Sequence, residues 1–126
     1  MEKVLVYYKM KDNSNISEYK TVGNYDANDN YITLEFKEKD TGINSKYYIY
    51  DDKLVLHRSG SMEMKLEFIF NKETKSIVKT DFGYNMNISI NTLFYEFDAN
   101  QIKLKYELDI DKGNIHILTL SYSFKK

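Results

Sequence analysis

The residue with the most distinctive chemistry in this sequence is Arg58, the only arginine among eighteen basic side chains. A guanidinium binds a carboxylate through two parallel hydrogen bonds, which an ammonium group cannot do. Period-two alternation places Arg58 on the same strand face as Leu54 and Leu56, so its side chain is expected to point inward. Two roles remain open: an anchor for an anionic ligand, or a structural plug that closes one end of a barrel by bonding backbone carbonyls. The plug is favoured, because inward-facing charges in a small barrel have to be paired.

Three further side chains that can form hydrogen bonds are predicted to share the interior with Arg58. His116 and Tyr122 lie on the inward face of the final strand, and Tyr106 faces inward one strand earlier. These four residues are the candidate ligand-binding residues. A buried tyrosine usually packs its ring into the core and gives its hydroxyl to some partner, so a core role is favoured over ligand contact. His57, on the face opposite Arg58, is expected to be solvated.

No combination of residues favours catalysis or a metal site. The chain has no cysteine, which excludes a thiolate nucleophile and a cysteine-type zinc site. Its two histidines would have to meet a serine and a carboxylate by chance, and no nucleophile-elbow motif is present. Residues 26–30 imitate the start of a calcium loop, but Tyr31 occupies the glycine position and Lys37 that of the bidentate glutamate. We therefore predict a non-enzymatic protein with no catalytic residues, no cofactor and no metal.

Charge and composition limit the partners. The 18 basic and 19 acidic residues give a net charge of −1, which does not favour nucleic acid. Tyr47-Tyr48-Ile49-Tyr50 could form a stacking platform, yet Asp51 and Asp52 balance the lysines beside it. Outward tyrosines can instead mark a protein interface, so a homo-oligomer stays open. The first residues are too polar for a signal peptide or a membrane span, and we expect a cytoplasmic protein with no membrane partner.

The elements that must position these side chains are β-strands. Tyrosine, isoleucine, phenylalanine and threonine favour strands, while alanine, the best helix former, occurs only twice. Polar turn clusters separate segments in which apolar and polar residues alternate. The predicted strands are 4–10, 18–25, 31–37, 44–50, 53–59, 62–70, 85–92, 102–110 and 114–124. Regular spacing and short connections predict one domain over residues 1–126, an all-β, closed antiparallel up-and-down barrel of eight to ten strands.

Short motifs in the chain are similar to those of a known family. They are Arg58-Ser59-Gly60, Met64-Lys65-Leu66-Glu67-Phe68, Thr80-Asp81-Phe82-Gly83 and Thr92, with looser matches at Gly23-Asn24-Tyr25 and Tyr31-Ile32-Thr33-Leu34-Glu35. Their order and spacing resemble the bacterial YwiB-like proteins, a family of unknown function. The resemblance implies a calycin-like, that is lipocalin-like, barrel and carries no activity with it. One departure is Phe36, which stands where the family has an acidic residue.

The leading functional hypothesis is non-catalytic binding of a small, partly apolar or anionic ligand inside the barrel or at its mouth. The alternative is a structural or protein-interaction module with a filled core. The interior of a small barrel is only wide enough for its own side chains or for one small ligand. Whether a cavity remains therefore discriminates the two hypotheses.

Overall fold

The computed structural model describes residues 2–60, 62–80, 83 and 85–124. Within these residues, all the strands belong to a single antiparallel sheet. The strands are β1 (Glu2–Lys11), β2 (Ile16–Ala27), β3 (Ile32–Lys37), β4 (Asn44–Ile49), β5 (Lys53–Ser59), β6 (Met62–Ile69), β7 (Glu73–Thr80), β8 (Asn85–Asp98), β9 (Gln101–Leu108) and β10 (Ile115–Phe124). A single-turn 3-10 helix, η1 (Asp109–Asp111), follows β9. In these ranges we find no helix with the length and apolar character needed to cross a membrane.

Each strand pairs with the next one along the chain, and β1 pairs with β10 to close the barrel. The predicted up-and-down barrel is confirmed, with ten strands in the described part of the chain. Closure occurs because every strand has one apolar face to bury and because a closed sheet leaves no exposed edge. The turns between β1 and β2, β3 and β4, β5 and β6, and β9 and β10 gather at one end, which we call the Arg58 end. The β8–β9 turn lies at the opposite end.

Inward side chains from nearly every strand fill the centre of the barrel. The alternation predicted for β6 and β10 is confirmed, since Phe68, Leu118 and Leu120 are buried. The largest fully buried side chains are Tyr47, Phe68, Leu34, Ile49, Leu54, Ile90, Ile102, Leu104, Leu118, Leu120, Val4 and Val6. Gly23 permits close approach of the first three strands, because a Cβ atom there would lie 2.9 Å from both the Glu35 carbonyl oxygen and Val6 Cγ2.

The strand β7 was not predicted, because no predicted strand lies between residues 70 and 85. Its burial pattern explains the error. Ser76 and Val78 face the core, whereas Ile77 is 51% exposed. With a small polar residue inside and a large aliphatic one outside, hydrophobic alternation gives no strand signal.

Alternation within the predicted strands 62–70, 85–92 and 102–110 places Phe70, Met86 and Ile110 inside, but all three are exposed, which corrects the prediction at strand ends. Phe70 lies in the turn after β6, and Ile110 lies in η1, beyond the end of β9. Met86 is near the start of β8, at the rim of the barrel. Alternation predicts which face a side chain takes only while the strand continues. Asp81 and Phe82 of the predicted turn lie outside the described residues.

Candidate functional site

Arg58 forms a two-point ion pair with Glu38 at the Arg58 end of the barrel. Arg58 Nε donates to Glu38 Oε2 at 2.9 Å, and Nη2 donates to Oε1 at 2.8 Å. The Glu38 side chain is 6% exposed and that of Arg58 is 23% exposed. Burial by itself would lower the pKa of Arg58, but the hydrogen bond and the charge of Glu38 outweigh it and raise that pKa. The guanidinium is therefore permanently charged and is neutralised inside the protein.

The loop between β3 and β4 places the Glu38 carboxylate. Its backbone closes a tight turn, since Glu38 N–H donates to the Ile43 carbonyl at 2.8 Å and Gly42 N–H donates to the Glu38 carbonyl at 2.9 Å. Gly42 has a φ of 75°, which glycine adopts without steric cost. The hydroxyl of Thr41 donates to Glu38 Oε1 at 2.6 Å, and that of Ser45 donates to Oε2. Four donors thus satisfy both carboxylate oxygens.

Sequence reasoning missed Glu38 and expected Arg58 to bond backbone carbonyls. Among the described residues, the hydrogen bonds of Arg58 go instead to Glu38 and, weakly, from Nη1 to Met64 Sδ at 3.6 Å. A signal was present, because Leu34, Phe36 and Glu38 continue one period-two face. A buried guanidinium also needs an acid to pair with. The resemblance implied an acidic residue at the position of Phe36, and the acid that pairs with Arg58 lies two residues further on, at Glu38.

A cavity of about 130 Å³ opens beside this ion pair. Its polar lining residues, which we call the rim, are Tyr8, Glu38, Asp40, Thr41, Tyr47, Arg58 and Tyr106. Its apolar floor consists of Met10, Leu56, Leu66, Phe68, Leu104 and Leu118. A cavity of about 150 Å³ is large enough to hold a benzene molecule, so this space can accept a compound of similar size.

Three tyrosines line this cavity, and their hydroxyls retain their protons. Burial raises the pKa of Tyr106 to about 12 and raises those of Tyr8 and Tyr47 further above the ordinary value. Within residues 2–60, 62–80, 83 and 85–124, none of the three hydroxyls takes part in a hydrogen bond with another residue. They are therefore neutral groups that can donate to, or accept from, a molecule in the cavity.

The structure brings Arg58 and Tyr106 together and places His116 directly behind Tyr106. The Tyr106 and His116 rings stack, with centroids 4.9 Å apart and an angle of 11° between their planes. His116 Nε2 lies 3.3 Å from Asp111 Oδ2, and Nδ1 lies 4.0 Å from Asp12 Oδ2. The imidazole thus supports the cavity wall and is not part of the cavity lining.

Tyr122 is not brought to this cavity. Its backbone N–H donates to the carbonyl of Asn100 in the β8–β9 turn, at the opposite end of the barrel. Its ring packs against Tyr25, with centroids 5.3 Å apart, and against Phe124. The four candidate residues all face the inside of the barrel, but they do not form one site. The strand β10 spans the barrel, so His116 and Tyr122 lie near opposite ends of it.

Outside the barrel, the predicted tyrosine run is split between two environments. Tyr47 points inward, whereas Tyr48 and Tyr50 contact Tyr31 on the outer surface, with centroids 5.7 and 5.1 Å from the Tyr31 ring. The ammonium of Lys46 lies 5.3 Å from the centroid of the Tyr48 ring, and that of Lys53 lies 4.9 Å from the centroid of the Tyr50 ring. Two of the rings therefore already carry a cation on one face.

A surface depression of about 790 Å³ lies outside the barrel near β6, β7 and β8. Its walls are mostly exposed side chains of both charges, such as Lys65, Lys75 and Glu63. None of the four candidate residues lines it. Ser76 is the one buried polar residue among those that line it, and its other polar residues are exposed or half-buried, so buried groups do not converge there to orient a ligand.

Fold and site together define a small calycin-like β-barrel with a partly polar cavity at one end. A family model described as a domain of unknown function (DUF1934) matches residues 5–121, and the chain belongs to this family. The ywiB protein from Bacillus subtilis has a crystal structure that superposes with a TM-score of 0.77 and 22% identity. The match covers 98% of this chain and 91% of that one, and it confirms the resemblance in fold. Comparison with curated proteins finds no match.

Proposed function

We propose that this protein binds a small, partly apolar molecule at the Arg58 end of its barrel without transforming it. The observation that carries the proposal is the cavity, in which an apolar floor lies beneath a polar rim. Binding sites for small molecules commonly have this composition, with a few placed polar groups among apolar walls. A purely structural core would instead be expected to fill this space, since interiors are close-packed.

The chemistry of the rim supports binding more than catalysis. Tyr106 has a pKa of about 12, so its hydroxyl is a poor base near neutral pH. Arg58 is held protonated by Glu38 and cannot exchange a proton there. Glu38 itself accepts from Thr41, Ser45 and Arg58, which engages both of its oxygens. These groups can hold a ligand by hydrogen bonds, and the remaining rim carboxylate, Asp40, is exposed to solvent and accepts from the Ser17 hydroxyl at 2.8 Å.

Native mass spectrometry of protein purified from its own host tests the proposal. A retained small molecule is expected as added mass that disappears on unfolding. The matched variants are Leu56→Phe, which places a ring in the cavity, and Val55→Phe on the opposite face of the same strand. Leu56→Phe should lose the added mass and Val55→Phe should keep it, once thermal melting shows that both are folded. Equal retention in both variants would place the ligand elsewhere.

The alternative, a protein-interaction or structural module, is supported by an aromatic pair on the outer surface. Phe70 and Phe94 are 53% and 36% exposed and contact each other edge to face, with centroids 6.2 Å apart. Aromatic residues are enriched at protein interfaces. Light scattering of wild type and a Phe70→Ser variant tests this alternative. A dimer that the substitution dissociates would favour it.

We further propose that the protein acts in the cytoplasm, without a nucleic acid or membrane partner. The near-zero net charge supports this expectation. On the outer surface, Lys46 and Lys53 already occupy ring faces of Tyr48 and Tyr50 that a nucleobase would need for stacking. A filter-binding titration at low salt with single-stranded RNA should show no saturable complex.

A further inference from the structure

The hydrogen bonds that Arg58 leaves unmade indicate what its ligand must offer. Glu38 takes the donors of Nε and Nη2. Nη1 donates only to the Met64 thioether among the described residues, and a thioether is a weak acceptor. Arg58 lines the cavity, and this edge of its guanidinium still lacks a strong acceptor among the described residues. The hydroxyls of Tyr8, Tyr47 and Tyr106 add groups of the same kind, protonated and without a bond to the described chain.

The charges around the cavity disfavour an anion. Glu38 already cancels the charge of Arg58 and occupies the fork that a ligand carboxylate would need. Asp40 adds a second carboxylate to the rim, so the charged residues of the lining sum to one negative charge. A buried anion that finds no free cation loses more in desolvation than it gains.

The same charges give a cation little advantage. Asp40 is exposed, and solvent and salt screen its attraction. Glu38, the buried carboxylate, is already paired with Arg58, so a buried cation would lose its hydration without gaining a free counter-ion. A neutral molecule meets neither penalty and can still accept the unused hydrogen bonds.

Resting on the proposed function, we propose that the ligand is neutral, with a hydroxyl or carbonyl oxygen that faces Arg58 Nη1 and the tyrosine hydroxyls. Its apolar body, about the size of one six-membered ring, lies against Leu56, Phe68 and Leu104. The site thus selects uncharged alcohols, phenols, ketones or amides and rejects carboxylates and amines of the same shape.

Three probes of one shape and different charge test the ligand class: benzyl alcohol, benzoate and benzylammonium at neutral pH. Isothermal titration calorimetry should give benzyl alcohol a Kd about tenfold or more below those of both ions. At low ionic strength, where screening is weak, Asp40→Asn should reduce the disadvantage of benzoate, because one rim carboxylate is gone. Glu38→Gln, if it folds, should shift the preference towards benzoate. If it does not fold, the comparison of wild type with Asp40→Asn is the test.

The possible failures point to different causes. If benzoate or benzylammonium binds most tightly, and Leu56→Phe abolishes that binding, the neutral-ligand inference is overturned while the proposed function stands. If no probe shows binding that Leu56→Phe removes, and native protein carries no added mass, the proposed function falls and the inference with it. Tighter binding of benzyl alcohol that Leu56→Phe abolishes and Val55→Phe preserves supports both.

Discussion

Arg58 and Glu38, twenty residues apart in the sequence, meet at one end of the barrel through two hydrogen bonds of 2.8 and 2.9 Å. The pair closes the β3–β4 loop over the cavity, since the same carboxylate also accepts from Thr41 and Ser45. One ion pair therefore both stabilises the barrel end and forms part of the candidate site. Its two roles can be separated by measurement.

Arg58→Met should destabilise the ligand-free protein by about 3–5 kcal/mol, because it leaves the buried Glu38 carboxylate without its cation. The free energy of unfolding in urea, compared with wild type, measures this. The double variant Arg58→Met/Glu38→Leu should recover part of the loss, since it removes both charges. A free energy of unfolding that stays unchanged or rises in Arg58→Met would show that the pair does not stabilise the fold.

Phe68→Ala should cost roughly 3–5 kcal/mol through lost burial and the remaining cavity. Phe68 is 1% exposed and packs against Tyr106, with ring centroids 4.8 Å apart. Lys65→Ala, on the outward face of the same strand, should change stability by less than about 0.5 kcal/mol. Denaturant titrations compare the two variants directly, and equal effects would contradict the facing of β6.

Val78→Asp should prevent folding or destabilise the protein severely, because it buries an unpaired charge. Val78 is 2% exposed, whereas its neighbour Ile77 is 51% exposed, so Ile77→Asp should be tolerated. Circular dichroism and thermal melting distinguish the pair. The opposite ranking would mean that β7 has the reverse facing.

Thr92→Val should raise stability by about 1 kcal/mol. Thr92 is 0% exposed, and its Oγ1 has no hydrogen-bond partner among the described residues, so it carries the cost of an unsatisfied buried hydroxyl. Valine keeps the shape and removes that cost. Chemical denaturation checks the change, and a clear loss of stability would reveal a partner for the hydroxyl.

Stability should fall as the pH rises above about 10. Burial raises the pKa of Tyr106 and of Tyr122 to about 12, while an unfolded tyrosine ionises near 10. Because the pKa is higher in the folded protein than in the unfolded one, the two protonated tyrosines contribute fully to stability below pH 10, and their contribution is lost between pH 10 and 12. Each group steepens the fall of the unfolding free energy with pH by up to about 1.4 kcal/mol per pH unit. Tyr106→Phe should remove the share of one group from that slope. A slope unaffected by Tyr106→Phe would contradict the burial of that hydroxyl.

Much of the architecture was determined by the sequence alone. Alternation in β6, β9 and β10 predicted strands, their facing and an up-and-down order, because a strand with one apolar face has to bury it. The inward position of Arg58 followed from the same rule. The rule failed at β7, where Ser76 is inside and Ile77 outside, and at Phe70 and Ile110, where the strand has already ended.

The site was decided by the tertiary structure. The pairing of β3 with β4 and of β4 with β5 sets Phe36 opposite Ser45 and Ser45 opposite Arg58, so Glu38, and not a backbone carbonyl, meets Arg58. Closure also determines which inward residues share an end, uniting Tyr106 with Arg58 and leaving Tyr122 at the other. Alternation gives the face of a side chain but not its height along the barrel, because height depends on the register between strands. Register is a property of pairs of distant segments, and a single segment of sequence does not contain it.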